Sequence, residues 1–81
     1  MNEKTLGEIY CGVNFNPSGN PQVDLAKKLC AQLTDLTIGH YELNFGNKET
    51  ENGFFAFEIY KQALADILNA QMKVVKLLTF K

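Results

Sequence analysis

The sequence predicts an all-α fold: a short helical hairpin with an ordered N-terminal loop, a single helical domain over residues 1–81, assembled into a helical homo-oligomer. Three observations predict it. Two long stretches repeat apolar residues at helical spacing, the dipeptide Asn20-Pro21 is a helix start, and the second stretch carries more apolar surface than one partner helix can cover.

The N-terminal segment, residues 1–20, ends in the loop Phe15-Asn16-Pro17-Ser18-Gly19-Asn20-Pro21. Pro17 and Pro21 fix φ at their own positions and push Asn16 and Asn20 towards extended backbone, while Gly19 admits angles closed to other residues. The loop is therefore expected to be ordered. Asn20 is a favoured N-cap and Pro21 suits the first helical position, where its missing N–H costs nothing. The free N–H groups of that helix start would face the loop, where Asn16 and Ser18 can add hydrogen bonds to a phosphate or carboxylate. The same signals also describe an ordinary capped turn.

The first helix is predicted over 21–37, with Val23, Ala26, Leu29, Cys30, Leu33 and Leu36 on its inner face. Lys27 falls at the edge of that stripe beside Val23, whereas Lys28 points away from it. Lys27 is thus the better candidate for a site shared with a packed neighbour. Gly39 and Asn44-Phe45-Gly46-Asn47-Lys48-Glu49 mark the connection, and residues 38–45 fit a helical extension, a kinked continuation or an ordered loop. His40 has no second histidine, cysteine or acidic cluster at a recognisable spacing, which favours a surface or packing role over a catalytic one.

The second helix is predicted over 52–77. Tyr60, Ala63, Leu64, Ile67, Gln71, Val74, Val75 and Leu78 trace its inner face, and Leu68, Met72 and Leu77 widen it past half the circumference. Phe54, Phe55 and Phe57 add to the surplus. Apolar surface on that scale marks an interface, which is the basis for expecting homo-oligomerisation.

Composition narrows the function. Eighty-one residues allow one small domain. The net charge is −1 and all eight basic residues are lysine, so extended duplex nucleic-acid binding is not expected, while a small anion needs only a few placed lysines. Lys61, Asp66, Lys73 and Lys76 interrupt the most apolar region, which argues against a membrane span. No apolar leader follows Met1, and Cys11 and Cys30 are read as reduced thiols of a cytosolic protein. Two cysteines and one histidine make a poor metal set, so neither metal nor cofactor is expected. Asp24, Asp35, Glu58 and Asp66 are scattered, with no nucleophile, base and oxyanion-hole combination among them, so no catalytic residue is assigned and an enzyme is not expected.

The block from Val13 to Lys27, centred on Phe15-Asn16-Pro17-Ser18-Gly19-Asn20-Pro21, resembles the start of the phage anti-CBASS protein 2 family. The closing stretch Met72-Lys73-Val74-Val75-Lys76-Leu77-Leu78-Thr79-Phe80 is similar to that family's C-terminal helix. The two blocks cover about a third of the chain. The resemblance implies a compact helical hexamer that binds cyclic dinucleotides such as cyclic GMP-AMP between neighbouring subunits, and in some members cyclic trinucleotides at separate sites, without hydrolysing them. Such a sponge acts in the cytoplasm of the infected bacterial host. By the family pattern an aromatic stacks on a base and a lysine meets a phosphate. These roles map to Phe15, with Tyr10 as second aromatic candidate, and to Lys27. Lys76 resembles the basic residue of the trinucleotide site. The competing expectation is a small helical oligomeric module whose apolar face binds or inhibits another protein and which takes no nucleotide.

Overall fold

The computed structural model describes residues 4–13, 19–46 and 51–80, the side chain of residue 51 excepted. All regular structure in them is helical, in three helices: α1 (Leu6–Cys11), α2 (Pro21–Phe45) and α3 (Glu51–Thr79). The expected hairpin is α2 against α3. The element that sequence periodicity misses is α1, which lies in the N-terminal segment ahead of the expected loop.

The cause of α1 is local. Thr5 caps it through a capping box: the Glu8 N–H donates to Thr5 Oγ1 at 3.1 Å and the Thr5 N–H donates to Glu8 Oε1 at 2.8 Å. Gly12, at φ 73°, stops it in the left-handed region open to glycine. Six residues are too few for helical periodicity to register, and a helix this short is held by packing rather than by propensity. Gly7 is what lets α1 approach α2, because a Cβ there would run into the Ala31 carbonyl oxygen.

Helix α2 starts at Pro21 behind Asn20, whose Oδ1 accepts from the N–H groups of Gln22 at 2.9 Å and Val23 at 3.4 Å. It continues to Phe45 rather than ending near residue 37, passing through Gly39. The extension is held by packing. Tyr41 is buried and stacks on Tyr60 of α3 with ring centroids 4.2 Å apart and planes 7° from parallel, and Phe57 lies at 6.1 Å from the same ring. Aromatic contacts of this kind outweigh the roughly 1 kcal/mol that an interior glycine costs a helix.

The expected inner face of α2 needs a larger correction. Val23 is buried, but Leu29, Leu33 and Leu36 are 55 %, 50 % and 68 % exposed, while Ala31, Thr34 and Tyr41 are the buried positions further along. The side turned towards α1 and α3 is therefore built of small and polar residues. Thr34, fully buried, satisfies its hydroxyl by donating to the Cys30 carbonyl at 2.8 Å. In α3, Ile67 and Gln71 are the buried centre, flanked by half-buried Tyr60, Ala63, Leu64, Val75 and Leu78, and only Val74 of the expected inner face turns out exposed. That helix runs two residues beyond the expected Leu77.

Candidate functional site

Helix α1 is fastened along its whole length. At its start, Thr5 Oγ1 donates to Asp35 Oδ2 at 2.6 Å and the Gly7 N–H donates to Asp35 Oδ1 at 2.7 Å, so one α2 carboxylate grips the first turn with both oxygens. On its far side the Tyr10 hydroxyl donates to the Leu64 carbonyl at 3.0 Å. At its end, buried Gln71 donates from Nε2 to the Cys11 carbonyl at 3.0 Å. Cys11 and Val13 then close on Ala31 in a small buried cluster with Cys30 packed against it. Hydrogen bonds to a charged group contribute about 1.5–3 kcal/mol each, so Asp35 is the strongest single tie.

Two described residues have the best claim to a ligand, and one of these ties holds the first of them. Tyr10 is held by its hydroxyl yet the residue stays 38 % exposed, which leaves it able to stack on a base. Lys27 follows buried Val23 by one helical turn and precedes buried Ala31 by another. It is half-buried, in line with Val23 and Ala31, whereas Lys28 is exposed. A half-buried stem with a charged tip is how a lysine is aimed instead of left to wander.

The helix start contributes less to anion binding than the sequence suggests. Asn20 already occupies the Gln22 and Val23 N–H groups, and Asp24 places a carboxylate in the first turn. Charge for a phosphate must then come from lysine. Gly19 is exposed at φ 75°, a conformation that strains any side chain, and forms with Pro21, Asp24, Leu25 and Lys28 a shallow hollow of about 510 Å³. Phe15, Asn16 and Ser18 lie outside the described residues. Lys76 is exposed in the last turn of α3, roughly 160° round that helix from the Ile67–Gln71 side, which puts it apart from the inward-facing contacts of α3.

Sequence reasoning missed Asp35, treating it as one of several scattered acids; its partners are 28 and 30 residues away, so no spacing signals them. It also missed a second concavity, an apolar groove of about 470 Å³ between the C-terminal half of α2 and the N-terminal half of α3. His40, exposed and 3.3 Å through Nδ1 from Asn44 Nδ2, stands at its rim. Burial pushes the Cys30 thiol up, with a smaller push from Cys11, so neither its setting nor its neighbours favour a thiolate nucleophile. Among the described residues no group of three histidine, cysteine or acidic side chains could hold a metal, and no helix is long and apolar enough to cross a membrane.

No family model, curated protein or solved structure matches the chain.

Proposed function

We propose that this chain is a phage-encoded sponge for cyclic dinucleotides, a non-enzymatic homo-oligomer that sequesters the signal and so deprives host CBASS effectors of their activator. The observation that carries the reading is the position of Lys27: half-buried on the helix that Asn20 and Pro21 start, one turn before Ala31 of the Cys11–Val13–Ala31 cluster. Tyr10, the second aromatic candidate, lies on α1, which is tied to the same helix through Asp35; Phe15 lies outside the described residues.

A cyclic dinucleotide offers two base faces and two phosphates. A two-fold site with one aromatic and one lysine from each of two subunits complements it, and symmetry doubles a modest set of contacts. Stacking on an aromatic contributes about 1–3 kcal/mol per base, so two such contacts supply a large share of micromolar binding. Phe15 or Tyr10 provides the ring, Asn16, Ser18 and Gly19 the loop around the phosphates, and Lys27 the charge. Lys76, on its own side of α3, serves a separate trinucleotide site. Binding in the host cytoplasm, with a hexamer as the assembled form, completes the proposal.

The test is a thermal-shift panel of cyclic di- and trinucleotides on the native chain and on Lys27→Ala. A rise in melting temperature with at least one cyclic dinucleotide, lost in Lys27→Ala while the oligomer mass stays the same, is the expected result. No shift with any member of the panel would remove the nucleotide reading and leave the protein-binding module.

A further inference from the structure

We infer that a second copy of this chain packs on the leucine-bearing side of α2 and the groove beside it. This deepens the oligomeric part of the preceding proposal and rests on that part alone.

Leu29, Leu36 and Leu43 recur every seven residues, with Leu33 and His40 between them, so the spacing alternates four and three as in a helix–helix seam. All four leucines are at least half exposed, and Leu43 reaches 84 %. The stripe lies nearly opposite the buried positions Val23, Ala31, Thr34 and Tyr41, on the side of α2 that α1 does not touch. Where it meets α3 it runs into the apolar groove, which shares Leu36 and His40 with it and adds exposed Ile59. The two features form one continuous face.

Charge selects the occupant. From Leu25 to Asn44 no lysine or acidic residue falls on that side of α2; Lys27, Lys28, Asp35 and Glu42 all project elsewhere. A face without lysine or carboxylate complements itself under two-fold symmetry, with no opposite charge asked of a foreign partner. Gly39 sits beside the stripe, exposed, and a Cβ there would meet nothing within the subunit. Within one copy the helix pays for a glycine it does not use, and close approach by a neighbouring backbone gives that glycine a purpose.

The magnitudes agree. The accessible surface is 6296 Å², whereas a compact monomer of 9.1 kDa is expected to expose about 4,900 Å². The difference, about 1,400 Å², exceeds the roughly 800 Å² that each partner buries in a standard interface. The radius of gyration tells the same story, at 14.6 Å against about 11.7 Å for a compact domain of this length. The chain is a plate 47 × 34 × 13 Å in extent, under-buried by about what one stable self-association would cover.

Sedimentation velocity on the full chain tests this, with Leu36→Glu and Leu43→Glu as variants and Asn69→Glu as control, since Asn69 is exposed on α3 and lines neither the stripe nor the groove. The expected result is a multimeric native protein, a multimeric control, and loss of at least about tenfold in association for both stripe variants at unchanged helical circular dichroism. Leu43 is so exposed that its variant folds regardless of the stripe. Stripe variants that keep the native mass would overturn this face while leaving oligomerisation intact; a native chain sedimenting at 9.1 kDa would overturn the self-association altogether. Loss of nucleotide binding in the thermal-shift panel, with the native mass still dependent on Leu36, would sink the sponge and spare this interface.

Discussion

The two sides of α2 invert the usual rule. The side packed within the subunit is built from Val23, Lys27, Ala31, Thr34 and Tyr41, small or polar for the most part, while the side facing outwards carries Leu25, Leu29, Leu33, Leu36 and Leu43. Hydrophobic periodicity registers total burial and does not distinguish a neighbouring helix of the same chain from one of another chain. The strongest apolar stripe of a helix can therefore lie on the outer surface of its subunit. The inner side needs small residues for a different reason: α1 comes close enough that Gly7 and Ala31 leave no room for more, and Asp35 seals the contact with hydrogen bonds rather than with apolar area.

Substitutions on the inner side should cost the most stability. Asp35→Ala leaves the Thr5 hydroxyl and the Gly7 N–H without their carboxylate, and a loss of about 2–4 kcal/mol is expected in urea unfolding, given about 1.5–3 kcal/mol for each bond to a charged acceptor and partial relief by water. Gly7→Ala forces a methyl against the Ala31 carbonyl and should cost about 1–3 kcal/mol by the same measurement. An unchanged midpoint in both would mean that α1 is not docked as described.

The outer side should behave in the opposite way. Leu36→Ala removes a side chain that is 68 % exposed, so the stability of a dissociated subunit should move by no more than about 0.5 kcal/mol while assembly weakens. A subunit that loses as much stability from Leu36→Ala as from Asp35→Ala would erase the distinction between the two sides. The smallest effect concerns Cys30, which burial keeps protonated, Cys11 adding to the effect. Its folded pKa is raised, so stability from this group is fully present below the ordinary thiol pKa and falls as pH rises above it. Alkylation of Cys30 by iodoacetamide at neutral pH should be slower in the folded chain than in urea, and equal rates would place that thiol in solvent.

How much of this was legible in the sequence depends on the range of the interaction. The Asn20–Pro21 start of α2 follows from neighbours within one helical turn, whereas the buried side that Lys27 borders is not the Leu29–Leu33–Leu36 stripe that local spacing indicates. The capping box Thr5-Leu6-Gly7-Glu8 and the stop at Gly12 were also present in the sequence, but a six-residue helix has no periodicity to draw attention to them. The continuation of α2 past Gly39 depends on Tyr41 stacking with Tyr60, nineteen positions away, and the role of Asp35 depends on partners still more distant. Such contacts leave no trace in local spacing. The candidate site divides along the same line: the capped start of α2 is local, whereas the hold of Leu64 on Tyr10 is not.

Isothermal titration of the native chain with cyclic GMP-AMP and related cyclic dinucleotides tests the sponge most directly. A site shared by two subunits predicts saturable heat at about one ligand per two chains, with the ligand recovered intact after dissociation. Absence of heat across the panel, saturation at one ligand per chain, or recovery of a linearised product would contradict it.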